Sequence, residues 1–453
     1  MSHDMTEQRT ERQPGFRTLV VGLGKTGLSC ARYLSGLGQS VHVVDTREQP
    51  PSLSQLNRDF PAVTTDLGKI DAVVLEHVDQ LIVSPGLPMD MPLLQAARAR
   101  QLPVMSDIDL FVAAARAPVI AITGSNGKST VTCMLNDMVL AAGHKVSTGG
   151  NLGVPALDLL GDEIPDFYLL ELSSFQLERS GYLPLYAAVV LNISPDHQDQ
   201  HRSYEEYIEA KARIFEACQH PVINLDDPVV IGMLKGESEY TAFSLSEPRG
   251  QDLGISLVDG RRWFSRGSTA LMPADELRLV GRHNEANALA ALAIGSVMGL
   301  ADTAMVSALR AFRGLDHRMQ EVRRRNGVLW IDDSKGTNVG ATVAAVRGLD
   351  GPLVLIAGGL SKQADFRPLA AALAGRTLGI VLIGRDAESL RRDLESAAPI
   401  HMATSMQDAV DKAEALATSG STVLLSPACA SQDMFDDYAH RGREFSSLVG
   451  RLA

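Results

Sequence analysis

Cysteine is scarce in this chain, with four among 453 residues, and no two of them form a CxxC pair. Scattered thiols without paired histidines do not fit a zinc-finger pattern, and a chain of this length can build its cores without disulfides. We therefore expect four free thiols and a reducing, cytoplasmic environment. The four residues are Cys30, Cys133, Cys218 and Cys429.

Long apolar runs and an excess of basic residues are absent as well. No stretch of 18 or more apolar residues occurs, and residues 1–16 are polar and without the apolar segment of a signal peptide, so a loose leader is expected. The 42 basic residues are outnumbered by 54 acidic ones, which gives a formal net charge of −12. Nucleic acids and anionic membranes need a clustered basic face and are not expected as partners. Small anionic substrates are not excluded, because a few local cations and helix N-termini can bind them.

The remaining sequence alternates short β-branched runs with helical stretches, which is typical of an α/β protein with buried parallel strands. At roughly 150 residues per domain, the length predicts three domains in series. We predict a Rossmann-like domain at 17–115, a central P-loop ATPase-like domain at 116–314 and a C-terminal Rossmann-like domain at 315–453. Asp259-Gly260, between two alternating runs, predicts a small antiparallel insert in the central domain.

The sharpest local motif is TGSNGKST at 123–130, between a predicted strand and a predicted helix. Glycines in such a turn let backbone N–H groups approach phosphate oxygens, and the helix N-terminus adds a favourable dipole. Lys128 would reach the β- and γ-phosphates, and Ser129 or Thr130 would bind Mg²⁺. Position 122 is isoleucine where the full P-loop pattern has glycine, so a plain glycine-rich turn is the alternative. The strand–turn–helix context favours phosphate binding.

A second glycine motif, GLGKTG at 22–27, follows the first predicted strand. Asp45 ends the next strand, 45 − 27 = 18 residues further on, as in the dinucleotide fingerprint. Three interpretations stay open on these residues: a site for NAD, a site for the diphosphate of another nucleotide, and a purely structural turn. The first domain also contains a predicted strand at 72–75.

Polar residues follow two predicted strands of the central domain, with Glu171 after one and His197 after the other. Ligands of open α/β sheets bind at the carboxyl ends of the strands, and these groups beside a phosphate loop suit one or two Mg²⁺ ions. A helix cap or a surface position is the alternative for each. Lys211 lies on a helix predicted at 204–217, where a lone lysine is more often a surface residue.

Two strand ends of the last third are polar in the same way. Lys335 and Thr337 follow one predicted strand and Ser431 follows another, so a second ligand could be held there; ordinary polar loops are the alternative. Arg318 lies at the predicted domain junction, where it could act on a phosphate across a cleft. Cys429 has no activating histidine nearby in sequence and is expected to pack in the core.

With these motifs in this order, the chain resembles the Mur ligase family over its whole length beyond the leader. The motifs are TGSNGKST, ELSSFQLE, LNISPDHQD, EAKARIF with Lys211, GRHNEANALAA, GLDHRMQ, DDSKGTN and SPACASQDMFDDYAHRGREF. Within the family the resemblance is strongest to the ligases that join D-glutamate to UDP-N-acetylmuramoyl-L-alanine in peptidoglycan synthesis. ATP and Mg²⁺ would be the cofactors.

The resemblance implies ligand contacts for the first two domains. The UDP part of the substrate would bind the first domain, which argues against NAD, through Thr26, Asp45, Thr46, Ser84 and Gly86. ATP would bind the central domain through Gly124, Ser125, Asn126, Gly127, Lys128, Ser129 and Thr130, with Asn287 near the adenine. Two Mg²⁺ ions would be held by Ser129, Thr130, Glu171, His197 and a carbamate on Lys211. The muramoyl-alanine part would be oriented by Asn151, Ser173 and Gln176.

The third domain would complete the site, with Arg318 and Asp333 at ATP. The incoming glutamate would contact Lys335, Thr337, Lys362, Ser431 and Tyr438. The implied reaction forms an acyl phosphate, which the glutamate amine then attacks, and the implied catalytic residues are Lys128, His197, Lys211 and Arg318. Either His197 or the released phosphate would accept the proton of the amine. A monomer is expected.

Three other functions stay open as alternatives. A ligase of the same family could act on a different amino acid or on a folate. An NAD-dependent oxidoreductase could use GLGKTG, although the intact second phosphate loop argues against it. A non-catalytic nucleotide-binding scaffold is the third.

Overall fold

The fold is described by a computed structural model for residues 17–194, 201, 203–234, 239–279, 281–361 and 364–452. These residues form three α/β units in series, each built around its own mainly parallel sheet. The predicted three-domain α/β architecture is therefore confirmed, while the boundaries at 115/116 and 314/315 stay predictions. No helix among the described residues is long and apolar enough to span a membrane.

The first unit is a parallel five-stranded sheet with the order β3-β2-β1-β4-β5. Because β4 pairs with β1 on the side opposite β2, a crevice opens at the carboxyl ends of β1 and β4, where such sheets bind ligands. The strands are β1 (Arg17–Val21), β2 (Ser40–Asp45), β3 (Thr64–Leu67), β4 (Gln80–Val83) and β5 (Val104–Met105). The helices are α1 (Lys25–Gly36), α2 (Leu53–Asp59), α3 (Pro92–Ala99) and α4 (Asp107–Ala114).

The strand predicted at 72–75 is wrong: these residues lie in a 3-10 helix, Ala72–His77. The Asp71 side chain accepts a hydrogen bond from the Val73 N–H and caps this helix. Only Leu75 in the run is fully buried, and Val73 is exposed. The apolar run therefore does not have the burial of an interior strand.

The central unit is a nine-stranded sheet with the order β14-β13-β12-β11-β10-β9-β6-β8-β7, parallel from β12 to β7. The strands are β6 (Val119–Thr123), β7 (Val146–Gly150), β8 (Phe167–Glu171), β9 (Ala187–Val190), β10 (His220–Asn224), β11 (Thr241–Phe243), β12 (Leu253–Val258), β13 (Arg261–Arg266) and β14 (Thr269–Pro273). The helices are α5 (Lys128–Ala141), α6 (Ser174–Arg179), α7 (Tyr204–Ala212), α8 (Pro228–Ile231), α9 (Arg282–Val297) and α10 (Asp302–Ala311). Short 3-10 helices occur at Ala156–Leu159, Arg213–Phe215 and Ala274–Glu276.

The antiparallel insert is confirmed. β12 and β13 pair antiparallel across Asp259-Gly260, and both turn residues have positive φ, 51° and 76°, as this type of two-residue turn requires. The helix predicted at 204–217 is shorter than expected, because α7 ends at Ala212 and the chain tightens into the 3-10 turn Arg213–Phe215.

The third unit is a six-stranded sheet with the order β15-β16-β20-β17-β18-β19, in which only the β15–β16 pair is antiparallel. The strands are β15 (Gln320–Arg325), β16 (Val328–Asp332), β17 (Leu353–Gly358), β18 (Thr377–Ile383), β19 (Ile400–Met402) and β20 (Thr422–Leu425). The helices are α11 (Val339–Arg347), α12 (Arg367–Leu373), α13 (Ala387–Leu394), α14 (Met406–Leu416) and α15 (Tyr438–Arg451).

The apolar cores join the units unequally. One buried cluster contains Val20 and Leu28 of the first unit together with Phe111 and Tyr168, so the first two units share a core. The third unit has two clusters of its own, one on each face of its sheet. All four cysteines are free thiols, as predicted, and Cys429 is buried in the core of the third unit.

Candidate active site

The glycine-rich turn after β6 leads directly into the N-terminus of α5. Gly124 and Gly127 have φ values of 154° and 84°, which residues with a side chain rarely adopt. A Cβ at Gly127 would lie 2.4 Å from Asn287 Oδ1, so the turn also needs glycine to approach α9. The N-cap residue of α5, Gly127, has no side chain, and the N-terminus of a helix is a favourable place for an anion.

Side chains from two neighbouring elements hold this turn in shape. The Asn126 N–H donates to Asn192 Oδ1 at 2.9 Å, and Asn192 Nδ2 donates back to the Asn126 carbonyl at 3.0 Å. The Ser125 and Tyr207 hydroxyls are 2.7 Å apart. Asn192 and Tyr207 were not predicted as site residues, although Asn192 directly follows a predicted strand and belongs to the motif LNISPDHQD.

Three of the predicted catalytic and phosphate-binding residues lie together at this turn. Lys128 Nζ donates to the carbonyls of Gly124 at 2.8 Å and Ser125 at 2.9 Å, so the ammonium lies over the loop. Arg318 Nη2 donates to Ser129 Oγ at 2.9 Å, across 189 residues of sequence. A guanidinium of the third unit therefore reaches the phosphate loop of the central unit.

Lys211 is buried, with 2% of its surface exposed, so the alternative of a surface lysine is wrong. Its Nζ donates to Thr123 Oγ1 at 3.2 Å and to the Gly124 carbonyl at 3.0 Å, and it lies 4.9 Å from the Tyr207 ring centroid. A buried ammonium is costly unless it is compensated. The lysine thus lies directly beneath the phosphate loop.

Glu171 has the features of a metal ligand. It ends β8 and is 3% exposed; Oε1 accepts a hydrogen bond from Asn151 Nδ2 at 2.7 Å. Its Oε2 is buried and has no hydrogen-bond partner among the described residues. A buried carboxylate oxygen left open in this way suits a hard cation such as Mg²⁺.

Ser129 and Thr130, the other predicted ligands in this region, are buried in the first turn of α5. His197 lies outside the described residues. Within the described part of the chain, no group of three or more His, Cys, Asp and Glu side chains is placed to hold a metal. The oxygens of Glu171, Ser129 and Thr130 are hard donors, so the residues present fit Mg²⁺.

A cavity of about 360 Å³ opens between the phosphate loop, the start of α9 and the third unit. This volume lies in the range of small-molecule sites. Residues predicted to bind ATP line it from both units, namely Asn126, Gly127, Thr130, Asn287, Arg318 and Asp333, and Lys335 joins them.

Burial perturbs two ionisable groups in this cavity. It raises the pKa of the Asp333 carboxyl to about 7, although Ser426 Oγ donates to this carboxylate at 2.7 Å and the Met319 N–H at 3.2 Å. Burial, with the nearby charge of Arg318, lowers the pKa of Lys335 to about 8. Perturbed groups of this kind are typical of functional sites.

The predicted glutamate residues are brought together only in part. Lys335 Nζ lies 4.0 Å from the Tyr438 ring centroid, and the Thr337 N–H donates to the Lys335 carbonyl at 2.8 Å. Ser431 is buried, and its hydroxyl has no hydrogen-bond partner among the described residues. Lys362 lies outside the described residues.

The predicted UDP-binding residues lie at the carboxyl ends of β1, β2 and β4. Asp45 is already engaged, because it accepts hydrogen bonds from the Leu23 N–H at 2.7 Å and from Arg47 Nη2 at 2.7 Å. Burial opposes ionisation of Asp45, but the hydrogen bonds from Arg47 and Leu23 outweigh it and lower the pKa to about 2. Arg47 was not predicted.

The other residues of this set are partly or fully exposed around the crevice, namely Thr26, Thr46, Ser84 and Gly86. Of the three residues predicted at the muramoyl-alanine part, Asn151 is hydrogen-bonded to Glu171. Ser173 and Gln176 form a reciprocal cap at the start of α6, in which the Gln176 N–H donates to Ser173 Oγ.

Comparison with known proteins gives the same three-part division. Three family models match in series: the Mur ligase MurD-like N-terminal domain at 16–106, the Mur ligase middle domain at 122–295 and the Mur ligase glutamate ligase domain at 317–429. A UDP-N-acetylmuramoylalanine–D-glutamate ligase of Nitrosococcus oceani is 48% identical over 450 residues, 99% of each chain. One of Marinobacter nauticus is 48% identical over 96% of this chain and 98% of the relative.

The chain belongs to the Mur ligase family. Solved Mur ligases share its fold: UDP-N-acetylmuramate-alanine ligase MurC of Thermotoga maritima matches with a TM-score of 0.58 and 17% identity, over 96% of this chain and 99% of that one. MurF of Acinetobacter baumannii matches with a TM-score of 0.59 and 17% identity, over 97% and 92%. The GLGKTG motif lies in the MurD-like N-terminal domain, which argues against an NAD-dependent oxidoreductase.

Proposed function

We propose that this Mur ligase joins D-glutamate to UDP-N-acetylmuramoyl-L-alanine, with ATP forming an acyl phosphate intermediate, in peptidoglycan precursor synthesis. Relatives that are 46–48% identical over nearly the whole chain are named for this ligation. The observation that carries the proposal is the meeting of Lys128, Ser129 and Arg318 at the phosphate loop, beside a cavity that Arg318 and Lys335 line.

Charge explains why three units must meet at this point. When a substrate carboxylate attacks a triphosphate, two anions approach each other, and catalysis of phosphoryl transfer is mainly positioning and charge compensation. Lys128 and the loop N–H groups would hold the phosphates of ATP, and Asn287 would lie near the adenine. Arg318 would exchange its hydrogen bond to Ser129 Oγ for one to a phosphate oxygen. Asp333 would contact ATP from the opposite wall of the cavity.

Ser129, Thr130, Glu171 and His197 would hold Mg²⁺, and a carbamate on Lys211 would support a second ion. The metal supplies charge neutralisation at the phosphates. The open Oε2 of Glu171 supports the first assignment. The place of Lys211 beneath the loop supports the second, because carbamylation would convert a buried cation into an anion beside Thr123 and Gly124.

The remaining contacts would fix the two substrates. The UDP part would bind the first unit at Thr26, Asp45, Thr46, Ser84 and Gly86. The muramoyl-alanine part would pass Asn151, Ser173 and Gln176. Glutamate would bind Lys335, Thr337, Lys362, Ser431 and Tyr438, where the cation Lys335 suits a dicarboxylate. The enzyme would act in the cytoplasm as a monomer.

The test is phosphate release by the purified chain with ATP, Mg²⁺, UDP-N-acetylmuramoyl-L-alanine and D-glutamate. We expect release to require all four, and the product to gain the mass of one glutamate residue. Parallel reactions use UDP-N-acetylmuramate, L-glutamate, or a folate with L-glutamate. Turnover with one of these in place of the D-glutamate reaction would overturn the proposal and assign a different ligase activity.

A further inference from the structure

A buried histidine–carboxylate pair lies at the junction of the central and third units. His317 Nδ1 is 2.7 Å from Asp332 Oδ2, and Asp332 ends β16 with none of its surface exposed. His317 has a φ of 62° and Met319 a φ of 47°, both in the left-handed region. Backbone of this kind persists where the surroundings enforce it and is concentrated at functional sites.

The surroundings of Asp332 decide which nitrogen of His317 carries the proton. The Ser334 N–H donates to Asp332 Oδ1 at 2.9 Å, and Ser446 Oγ donates to Oδ2 at 3.2 Å. A carboxylate held by donors in this way accepts hydrogen bonds only. His317 Nδ1 must therefore donate to it, which leaves the lone pair of the neutral ring on Nε2.

Helix α15 is shaped to admit this pair. A Cβ at Gly442 would lie 2.2 Å from His317 Nδ1 and 2.8 Å from Asp332 Oδ2. Any residue other than glycine at this position would therefore displace the ring or the carboxylate. The glycine lies in the interior of α15, where it lowers helix stability, so its place is explained by the pair it accommodates.

The pair adjoins residues of the proposed glutamate site. The Lys335 N–H donates to the His317 carbonyl at 3.0 Å, and the Tyr438 ring lies edge-on to the imidazole with centroids 6.4 Å apart. Lys335 and Tyr438 are residues proposed to contact glutamate. The next residue in sequence, Arg318, reaches Ser129. His317 thus contacts two residues assigned to the amino acid and immediately precedes a residue that contacts the phosphate loop.

We infer that His317, oriented by Asp332, accepts the proton of the glutamate amine in the second half-reaction. This inference rests on the proposed function. The ammonium of glutamate gives one proton to His317 Nε2, and the neutral nitrogen attacks the carbonyl carbon of the acyl phosphate. One C–N bond forms and the C–O bond to phosphate breaks. The nitrogen loses its second proton to the departing phosphate, which leaves as HPO₄²⁻, and the ring returns its proton to solvent.

The ionisable groups around the ring come from three elements. Asp332 and Asp333 lie at the end of β16, and Lys335 lies in the loop that follows it. Tyr438 and Arg441 come from α15, where Arg441 is buried and donates to the Ser334 carbonyl at 2.8 Å.

The experiment compares two nucleophiles in the complete enzyme. D-glutamate is an ammonium ion at neutral pH and needs a proton acceptor, whereas hydroxylamine is already largely uncharged. For His317→Gln we expect amide formation with D-glutamate to fall about 100-fold, the usual range for loss of a general base, with hydroxamate formation within about 2-fold of wild type. The remaining glutamate reaction should rise with pH as the free amine increases.

The matched control is His144→Gln. His144 also faces a carboxylate, that of Asp166 at 3.6 Å, but it is exposed and follows the C-terminal end of α5, whereas the cavity lies at the N-terminal end of this helix. It should leave both reactions unchanged. Asp332→Asn is the second variant and should repeat the selective loss. An equal loss with both nucleophiles in His317→Gln, or no loss with glutamate, would overturn the inference. Wild-type enzyme that forms hydroxamate but never uses D-glutamate would instead refute the proposed function.

Discussion

Two glycine turns of this protein look alike in sequence and differ in what surrounds them. GLGKTG at 22–27 and GSNGKS at 124–129 each connect an interior parallel strand to a helix. In the first turn the lysine, Lys25, is exposed. In the second, Lys128 lies over the loop carbonyls and Arg318 of another unit reaches the next residue.

The carboxylates beside the two turns differ as well. Asp45 is satisfied by the Leu23 N–H and by Arg47, so it stabilises its own turn. Glu171 keeps a buried oxygen without a partner among the described residues. A glycine pattern therefore specifies a turn, whereas the polar groups that neighbouring strands and units bring to it decide whether it becomes a phosphate and metal site.

The largest difference in activity is expected between variants of the two lysines. Lys128→Ala removes the cation at the phosphates and is expected to lower the rate of phosphate release about 1000-fold. Lys25→Ala, at the corresponding place in the first turn, should stay within about 2-fold of wild type, because surface substitutions are usually near neutral. Steady-state phosphate release measures both, and similar losses in the two variants would show that the turns are functionally equivalent.

Replacing Glu171 should impair metal binding, whereas replacing Asp45 should impair binding of the UDP substrate. Glu171→Gln is expected to raise the Mg²⁺ concentration for half-maximal activity at least about 10-fold, since an amide is a weaker ligand than a carboxylate. Asp45→Asn should leave this concentration unchanged and raise KM for the UDP substrate instead. Mg²⁺ titrations at saturating ATP give the comparison. A shifted metal requirement in Asp45→Asn alone would contradict it.

Replacing two glycines of the first turn should change the stability of the protein by different amounts. A Cβ at Gly27 would lie 1.9 Å from the Gly22 carbonyl oxygen, so Gly27→Ala is expected to lower the free energy of unfolding by about 3 kcal/mol. Gly24 has a φ of −91° and no heavy atom within 4 Å of such a Cβ, so Gly24→Ala should change it by less than about 0.5 kcal/mol. Urea midpoints measure both changes, and equal midpoints would refute the steric argument.

A smaller effect than that of Gly27→Ala is expected from the charge of Asp45. Its lowered pKa of about 2 means that the ionised form stabilises the fold above the ordinary carboxyl pKa, and that this contribution is lost as the pH falls toward 2. Because Arg47 is half-exposed, we expect only about 1 kcal/mol. The stability difference between wild type and Asp45→Asn should be constant above pH 5 and shrink by pH 3. A stability difference that grows as the pH falls would contradict the stabilising effect assigned to the ionised form of Asp45.

Much of the fold followed from local patterns. The β-branched runs located the central strands of all three sheets, and Asp259-Gly260 located the hairpin of the insert, because both signals depend only on neighbouring residues. The pattern failed at 72–75, where Asp71 caps a 3-10 helix. An apolar run of that length fits either structure until its burial is known.

The site was predictable where one segment carries the chemistry, and unpredictable where distant segments meet. The phosphate loop, Glu171 and Arg318 were recognisable from motif and resemblance. The roles of Asn192, Tyr207 and Arg47 in holding the two turns were not. Asn192 and Tyr207 contact residues that are far away in sequence. Arg47 is close to Asp45 in sequence, but the direction of its side chain is set by packing.

By itself, the sequence determined that strands would end in glycine turns and polar groups, since backbone sterics and alternating polarity act within a few residues. Only the tertiary structure decided that Lys211 is buried beneath the loop, that Arg318 reaches Ser129, and that His317 faces Asp332 across from Gly442. Burial, and with it the strength of every charge interaction in the cavity, depends on elements that are adjacent only after the three units have folded together.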